Sequence, residues 1–189
     1  ALKVAKCANS ACTGAATITT VDDPANFVGL YASIAVGLDG RPVISYYDDT
    51  NDALKVAKCA NAGCTGAATI TTVDNPAANN VGLDTSIAIG LDGRPVISYL
   101  DLTAGTLKVA RCANAACTGT ATITTVDNPA SNAVGLASSI AIGTDGFPII
   151  SYHDVTAGGL KVAKCANAAC TGAATITVVD NPAGDVGEF

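Results

Sequence analysis

Short runs of apolar residues alternate with small or polar residues along the whole chain, and glycine, proline, asparagine and aspartate separate the runs. Within one stretch we predict four strands, at Ser33–Gly37, Pro42–Asp48, Leu54–Ala60 and Ala68–Asp74. Val, Ile, Thr and Tyr favour strands, and Pro or Gly interrupts every window long enough for a helix. The pattern therefore predicts an all-β protein made of up-and-down antiparallel meanders.

The alternation is imperfect in a way that concerns both faces of the predicted sheet. Ile34 and Val36 share one face of their strand, whereas Val43 and Ile44 in the next strand point to opposite faces. Both faces are therefore apolar or small. A sheet of this kind has to be covered on both sides, which radial stacking of propeller blades achieves.

The strands recur because the sequence repeats. Copies of the segment LKVAKCANSACTGAATITTVD begin at Leu2, Leu54, Leu107 and Leu160, and the last copy is incomplete. We therefore expect residues 1–189 to form a single repeat domain. A period of about 53 residues with four strands matches a β-propeller blade. An open β-solenoid or superhelical stack of the same hairpins also satisfies the local pattern, and this alternative stays open.

The repeated motif xIAIGxDGxPVISY resembles secreted bacterial tandem-repeat proteins that form β-propellers, and more distantly the Asp-box repeats of sialidase-like propellers. An Asp-box has Ser or Thr two residues before its Asp, whereas here Gly37 stands two residues before Asp39. Sialidases also hold their substrate with three arginines. Two of the three arginines here lie in matching DGRP turns and the third replaces a lysine. The resemblance thus concerns the style of the repeat, and no sialidase site is carried over.

Eight cysteines form four C-x-x-x-x-C pairs, each of which brackets the short loop between the third and fourth strands of a unit. The pairs are Cys7 with Cys12, Cys59 with Cys64, Cys112 with Cys117, and Cys165 with Cys170. Two cysteines that face each other across a hairpin are close to the separation that a disulfide accepts. A structural zinc site needs four converging ligands, and one repeat supplies two thiols. We therefore predict four local disulfides and an extracellular or cell-surface location.

Composition excludes two classes of partner. Charged residues make up 14% of the chain and the formal net charge is −6. Phosphate binding needs clustered Lys and Arg, and no such cluster occurs, so we expect no nucleic-acid partner. No uncharged stretch reaches the 18 or more apolar residues of a spanning helix, so we expect no membrane insertion.

Aspartates recur in the loops at one end of the predicted blades. The VD[DN]P loops contain Asp22, Asp74, Asp127 and Asp180, and the SYxD loops contain Asp48, Asp101 and Asp154. Both kinds of loop open on the same end of an up-and-down blade, so their carboxylates could hold Ca²⁺. Asp before Pro or Gly is also an ordinary turn former. No other cofactor is expected.

No residue stands out as catalytic. His153 is the sole histidine and takes the position of Tyr47 and Leu100 in other copies, which favours an exposed surface position. The lysines of the LKVAK segments are interpreted as strand-edge charges. Because repeats so alike leave no unique pocket, we expect that the protein is not an enzyme.

The sequence therefore favours a non-enzymatic extracellular scaffold that assembles into a filament or surface layer. About three and a half units cannot close a ring, and their exposed edges favour head-to-tail association with other copies. The alternative is a propeller module that binds a glycan or a surface protein, against which the scarcity of aromatic residues counts.

Overall fold

A computed structural model describes residues 1–25, 27–130, 133–181 and 186–187 of the protein. All regular structure in these ranges is β-strand, and every paired strand is antiparallel to its neighbour. Within these ranges there is accordingly no helix that could cross a membrane.

The chain forms one two-stranded sheet followed by three four-stranded sheets. The half-blade consists of β1 (Leu2–Lys6) and β2 (Thr17–Asp22). Blade one consists of β3 (Val28–Val36), β4 (Pro42–Asp48), β5 (Ala53–Lys58) and β6 (Thr69–Asp74). Blade two consists of β7 (Val81–Ile89), β8 (Pro95–Asp101), β9 (Thr106–Arg111) and β10 (Thr122–Asp127). Blade three consists of β11 (Val134–Ile142), β12 (Pro148–Asp154), β13 (Gly159–Lys164) and β14 (Thr175–Asp180).

The first strand of each blade is longer than the sequence pattern predicts. In blade one it begins at Val28 rather than at Ser33. Gly29 and Tyr31 have positive φ angles of 94° and 50°, and the pairing with β4 shifts register on either side of Leu30. A bulge breaks the two-residue alternation of side chains, so this part of the strand carries no strand-like pattern.

The glycine at the second position of each first strand brings successive blades together. A Cβ added at Gly82 in β7 would lie 2.7 Å from Cα of Leu54 in β5, the third strand of the preceding blade. Real Cβ atoms do not approach a backbone atom so closely, so this position accepts only glycine. Each first strand therefore starts in backbone contact with the sheet before it.

The hydrophobic core is divided among the junctions between sheets. At the junction of blades one and two, Val43 and Val56 pack in one buried cluster with Ile87, Ile97 and Tyr99. Every residue of β4 and of β8 is buried. The prediction of sheets that are apolar on both faces is thereby confirmed.

Hydroxyl groups connect the inner parts of adjacent blades. The Oγ of Ser45 lies 2.6 Å from Oγ1 of Thr85, whose hydroxyl also contacts the carbonyl oxygen of Tyr31 at 3.0 Å. The Oγ of Ser33 accepts a hydrogen bond of 3.3 Å from the backbone N–H of Ile87. These bonds satisfy buried polar groups between the apolar contacts, and equivalent bonds recur between blades two and three.

The four predicted disulfides are present, each within its own repeat. Their Cα atoms are 4.7–4.8 Å apart. The bonds join Cys7 to Cys12, Cys59 to Cys64, Cys112 to Cys117, and Cys165 to Cys170. In the loop of blade one, Oδ1 of Asn61 accepts hydrogen bonds from the backbone N–H groups of Gly63 and Thr65. The asparagine and the disulfide together close the hairpin between the third and fourth strands.

The third strand is shorter than the sequence pattern predicts. β5 ends at Lys58, before Cys59, instead of extending to Ala60, and β6 begins at Thr69. The second cysteine of each pair lies in a turn, with a positive φ angle of 53–56° and its N–H donating a 3.0–3.1 Å hydrogen bond to the carbonyl oxygen of an asparagine three residues earlier. These second cysteines are Cys12, Cys64, Cys117 and Cys170. Each disulfide therefore closes a turn beyond the end of the third strand.

We predict that the same substitution has different effects at equivalent positions of the first strands. Ile87 is 6% exposed and Ile34 is 55% exposed. Ile87→Ala should lower the free energy of unfolding by about 3 kcal/mol, because it leaves a cavity between blades. Ile34→Ala should lower it by less than about 1 kcal/mol. Urea denaturation measures both, and equal losses would contradict the assigned burial.

Candidate functional site

The loops between the second and third strands lie at the same end of the molecule as the loops between blades. We call this the upper end; its described loops include residues 49–52, 75–80 and 102–105. The predicted meeting of the two loop types is seen in a cleft that residues of both kinds line together.

The predicted acidic pairs also meet, with a lysine between the two carboxylates of each pair. Asp22, at the end of the half-blade, and Asp48 of blade one lie 3.0 and 3.6 Å from Nζ of Lys55. The hydroxyl of Tyr46 donates a 2.6 Å hydrogen bond to Asp22. The arrangement is repeated at the next two junctions by Asp74, Asp101, Lys108 and Tyr99, and by Asp127, Asp154, Lys161 and Tyr152. We call these sets the junction clusters.

Charge pairing and burial set the ionisation of the junction clusters. Burial alone would raise the pKa of Asp101, but hydrogen bonds from Lys108, from the backbone of Ala104 and from Asn79 together lower it. Burial would lower the pKa of Lys161, but Asp154 and Asp127 together raise it. Both shifts favour the charged forms of Asp101 and Lys161.

The calcium site stays a prediction. Each described pair of predicted ligands shares an ammonium group, and Asp180 is exposed at the end of β14, with no fourth complete sheet beside it in the described residues. Within the described ranges no group of three or more His, Cys, Asp or Glu side chains is placed to hold a metal. The lysine is thus the cation that the structure shows between these carboxylates.

Two interpretations of single positions are wrong. Tyr47, Leu100 and His153 are 2–3% exposed, so their shared position is buried rather than on the surface. The lysines of blade one pair with specific aspartates instead of blocking a strand edge: Lys55 belongs to a junction cluster, and Nζ of Lys58 lies 2.8 Å from Asp39 in the DG turn.

The upper end contains a polar cleft of about 270 Å³ between blades one and two. Its lining is rich in asparagine and has a single carboxylate. The lining residues are Asn51, Asp52, Asn75, Pro76, Ala77, Ala78, Asn79, Asn80 and Thr103. We call it the asparagine cleft.

Hydrogen bonds fix several of its side chains. Oδ1 of Asp52 accepts a 2.8 Å hydrogen bond from the hydroxyl of Tyr47. Burial of Tyr47 and its hydrogen bond to Asp52 raise the pKa of Tyr47 to about 12, so its phenol stays protonated and donates at neutral pH. Asn79 donates a 2.9 Å bond to Asp101 of the adjacent junction cluster. Oδ1 of Asn80 is buried without a hydrogen-bond partner in the described part of the protein.

The backbone of this cleft is common to the repeats, but its side chains are not. The N–H of Asn80 donates to Thr103 at 2.8 Å, as the N–H of Ala133 does to Thr156 at 2.9 Å. Asn51 and Asp52, however, are replaced by Ala-Gly in both later copies, at 104–105 and 157–158. Ser131 and Asn132 of the next junction lie outside the described residues.

The asparagine cleft thus has a lining that differs between copies, although the repeats are nearly identical. The sequence signal was present in the differences between copies: Asn51, Asp52 and Asn80 depart from the repeat in neighbouring loops. Only the stacking of blades shows that these departures line one cleft. Tyr31, an exposed aromatic residue, has its ring centroid 6.2 Å from that of Tyr47, whose hydroxyl donates to Asp52 of the cleft.

No protein-family model and no curated protein matches the sequence. Solved structures do match the fold. A GH43 β-1,3-galactosidase has a TM-score of 0.55 at 12% identity, over 82% of this chain and 32% of that enzyme. An α-L-arabinofuranosidase from Lactobacillus brevis has a TM-score of 0.57 at 10% identity, over 79% of this chain and 53% of that enzyme. An exo-β-1,3-galactanase from Phanerochaete chrysosporium has a TM-score of 0.57 at 11% identity, over 94% of this chain and 43% of that enzyme.

These neighbours confirm the prediction of an all-β fold with β-propeller-like blades, and at such low identity they show the fold alone. This chain spans between about a third and about half of the length of these enzymes. The prediction of a self-assembling scaffold is wrong, because the fold is shared with proteins that act on glycans. The expectation that the protein is not an enzyme stays a prediction. The alternative, a propeller that binds a glycan, agrees better with these structural neighbours.

We predict that Lys108→Met lowers the free energy of unfolding by about 3 kcal/mol, because Asp74 and Asp101 lose their shared cation while largely buried. Lys164→Met is the matched control. Lys164 pairs with the half-exposed Asp145 at the opposite end, so its loss should be below about 1 kcal/mol. Urea denaturation measures the free energy of unfolding of both variants. Similar decreases in the two variants would contradict a special role for the junction cluster.

We predict that the junction tyrosines ionise only when the protein unfolds. Burial, assisted by an aspartate, raises the pKa of Tyr46, Tyr99 and Tyr152 well above that of a free phenol, which is about 10. Their contribution to stability is complete below about pH 10 and is lost as the pH rises towards the folded-state values. In a Tyr31→Phe variant, which removes the half-exposed tyrosine, tyrosinate absorbance and circular dichroism should therefore change together. Ionisation near pH 10 with an unchanged fold would disprove the assignment.

Proposed function

We propose that this protein is a secreted, glycan-binding β-propeller module that holds a terminal sugar residue in the asparagine cleft. The observation that carries the proposal is the replacement of the Ala-Gly of the two later copies by Asn51 and Asp52, opposite Asn79 and Asn80, in a polar cleft of the upper end. Amide and carboxylate groups donate and accept hydrogen bonds in the directions that sugar hydroxyls require.

The chemistry of the cleft supports a neutral polar ligand. Asn51 and Asp52 are exposed, so their free polar atoms can form hydrogen bonds with the hydroxyl groups of a sugar. Tyr31, half exposed beside Tyr47, offers an aromatic ring to the apolar side of a sugar. A volume of about 270 Å³ lies just below the usual range for ligand pockets, about 300–1,000 Å³, so the cleft suits one sugar residue with the rest of the glycan outside.

Binding without hydrolysis is the form of the proposal that the cleft supports. Glycoside hydrolases use two carboxyl groups on either side of the scissile bond. The lining of the asparagine cleft contains one carboxyl group, that of Asp52, and one of its oxygens already accepts the hydrogen bond of Tyr47.

Secretion is part of the proposal because four disulfides indicate an oxidising compartment.

The test is calorimetric titration with β-1,3-galactotriose, arabino-oligosaccharides and xylo-oligosaccharides. We predict that the double variant Asn51→Ala with Asp52→Gly binds at least about tenfold more weakly, a loss of about 1.4 kcal/mol. The variant removes the acceptor of the buried Tyr47 hydroxyl, so its free energy of unfolding should fall by about 1–3 kcal/mol. It should still fold, because it copies the Ala-Gly of blades two and three and because glycine readily accepts the φ of 53° at residue 52.

Leu91→Thr is the control, since it copies residue 144 of the next repeat into an exposed turn at the opposite end and should leave affinity unchanged. Equal affinity of the double variant and the parent would exclude the asparagine cleft. Failure of all three oligosaccharides to bind would contradict the proposed ligand class. Release of reducing sugar would show that the protein hydrolyses the oligosaccharide and would contradict binding without hydrolysis.

A further inference from the structure

The end of the molecule opposite the asparagine cleft carries a row of similar turns, each of which connects the first and second strands of a blade. The turns comprise residues 37–41, 90–94 and 143–147. A Cβ added at Gly93 would lie 3.2 Å from Cδ1 of Leu38, and one added at Gly146 would lie 2.9 Å from Cδ1 of Leu91. Each leucine therefore covers the glycine of the next turn, and the turns form one continuous surface. We call it the turn row.

The turn row and the strand ends beside it carry an excess of positive charge. The aspartate of each turn pairs with the basic residue that ends the third strand of the same blade. These pairs are Asp39 with Lys58, Asp92 with Arg111, and Asp145 with Lys164. Arg41 and Arg94 are additional cations. The five basic residues come from separate strands and turns, so the sequence has no basic run although the fold brings them to one end.

The additional arginines keep hydrogen-bond donors for a ligand. Arg41 and Arg94 are about half exposed, and their Nε atoms lie 4.0 and 3.3 Å from Asp39 and Asp92. Asp92 is also the partner of Arg111. A guanidinium has five N–H donors, whereas a carboxylate accepts about four hydrogen bonds, so two guanidinium groups on one carboxylate retain free donors. Arg94 can therefore bind an additional anionic group.

Exposed apolar side chains alternate with these cations. Leu38 and Leu91 are 75% and 74% exposed, and each stands three residues before the arginine of its own turn. Leu91 lies between two blades and is nevertheless exposed. In blade three the pattern changes, because Phe147 takes the position of Arg41 and Arg94. An aromatic ring thus replaces a cation at one point of the row.

A cleft of about 240 Å³ lies beside this ring, between blades two and three. We call it the turn cleft. Leu91, Phe147 and Ala168 supply its apolar lining, and Asp92, Arg111 and Asp145 supply its charged lining. Nζ of Lys164 lies 5.6 Å from the centroid of the Phe147 ring, which helps to hold the ring in place. The turn cleft therefore offers a concave apolar surface next to paired charges.

We propose that the turn row binds an acidic peptide segment of a partner protein. One aromatic or aliphatic side chain of the peptide enters the turn cleft, and neighbouring carboxylates bind the additional arginines. Charge complementarity supports an acidic partner, since the turn row is basic on a chain whose formal net charge is −6. Arginine and aromatic residues are enriched at protein–protein interfaces.

The apolar features favour a peptide over other anionic partners. An acidic polysaccharide would satisfy the arginines but has no apolar side chain for the turn cleft. A concave cleft accepts a single projecting side chain, which a peptide presents and a bilayer surface does not. The turn row and the asparagine cleft lie at opposite ends of the molecule, so the proposal does not depend on glycan binding.

The test is fluorescence anisotropy of a labelled peptide, Asp-Glu-Phe-Glu-Asp with blocked ends, titrated with the full chain. We expect saturable binding that weakens as salt is added, because salt screens exposed charges. Replacement of the phenylalanine of the peptide by alanine should weaken binding at least about tenfold, a change typical of an anchoring side chain. A peptide with lysine at every acidic position should not bind.

Two protein variants locate the site. Leu91→Thr copies residue 144 of the next repeat, and Arg94→Gln removes an additional cation at an exposed position. Each should bind the peptide at least about fivefold more weakly with an unchanged melting temperature. Leu102→Thr is the matched control, since it removes an exposed leucine at the upper end and should leave peptide affinity unchanged.

Absence of binding to the parent, or equal binding by Leu91→Thr and Arg94→Gln, would overturn the proposal. Equally tight binding of the alanine peptide would show that charge alone acts and would exclude the turn cleft as an anchor. Tighter binding to phosphatidylserine vesicles than to the peptide, lost in Leu91→Thr, would make a membrane surface the occupant and would also overturn it.

Discussion

Every sheet of this protein carries apolar side chains on both faces, and the rest of the structure follows from the need to cover them. β4 and β8 have no exposed residue, so each lies between two layers. A sheet of four strands cannot bury two faces by itself, and stacking against copies of itself is the simplest solution. The hydrophobic core is consequently a series of clusters between sheets, and each blade depends on its neighbours for stability.

The polar groups at the junctions fix how the sheets stack. Apolar contacts alone permit sliding, whereas a buried lysine between two carboxylates requires a defined position for both. Asp74, Lys108 and Asp101 illustrate this: the first ends one sheet, and the other two belong to the next. The hydrogen bonds between serine and threonine hydroxyls likewise fix the positions of the inner strands of adjacent blades. Near-identical repeats can therefore produce one regular rotation between blades.

The candidate ligand site is formed where the repeat is broken. The loop backbone at the upper end is set by bonds such as that of Asn80 N–H to Thr103, which recur in other copies. Asn51 and Asp52 stand where both later copies have Ala-Gly. Asn51 donates a hydrogen bond to Asp48, and Asp52 accepts one from Tyr47, whose counterpart in blade two is Leu100. The remaining polar atoms of these two exposed residues are the groups that the proposal assigns to a ligand.

The sequence alone determined the strands, the period of about 53 residues, the local disulfides and the double-faced sheets, because each depends on residues close together in the chain. It did not reveal the early start of β3 at Val28, since positive φ angles at Gly29 and Tyr31 remove the alternation. Nor did it show that Lys55 lies between Asp22 and Asp48 or that Tyr47 is buried. Those facts depend on contacts between different sheets, and only the tertiary structure decides which residues of two blades meet.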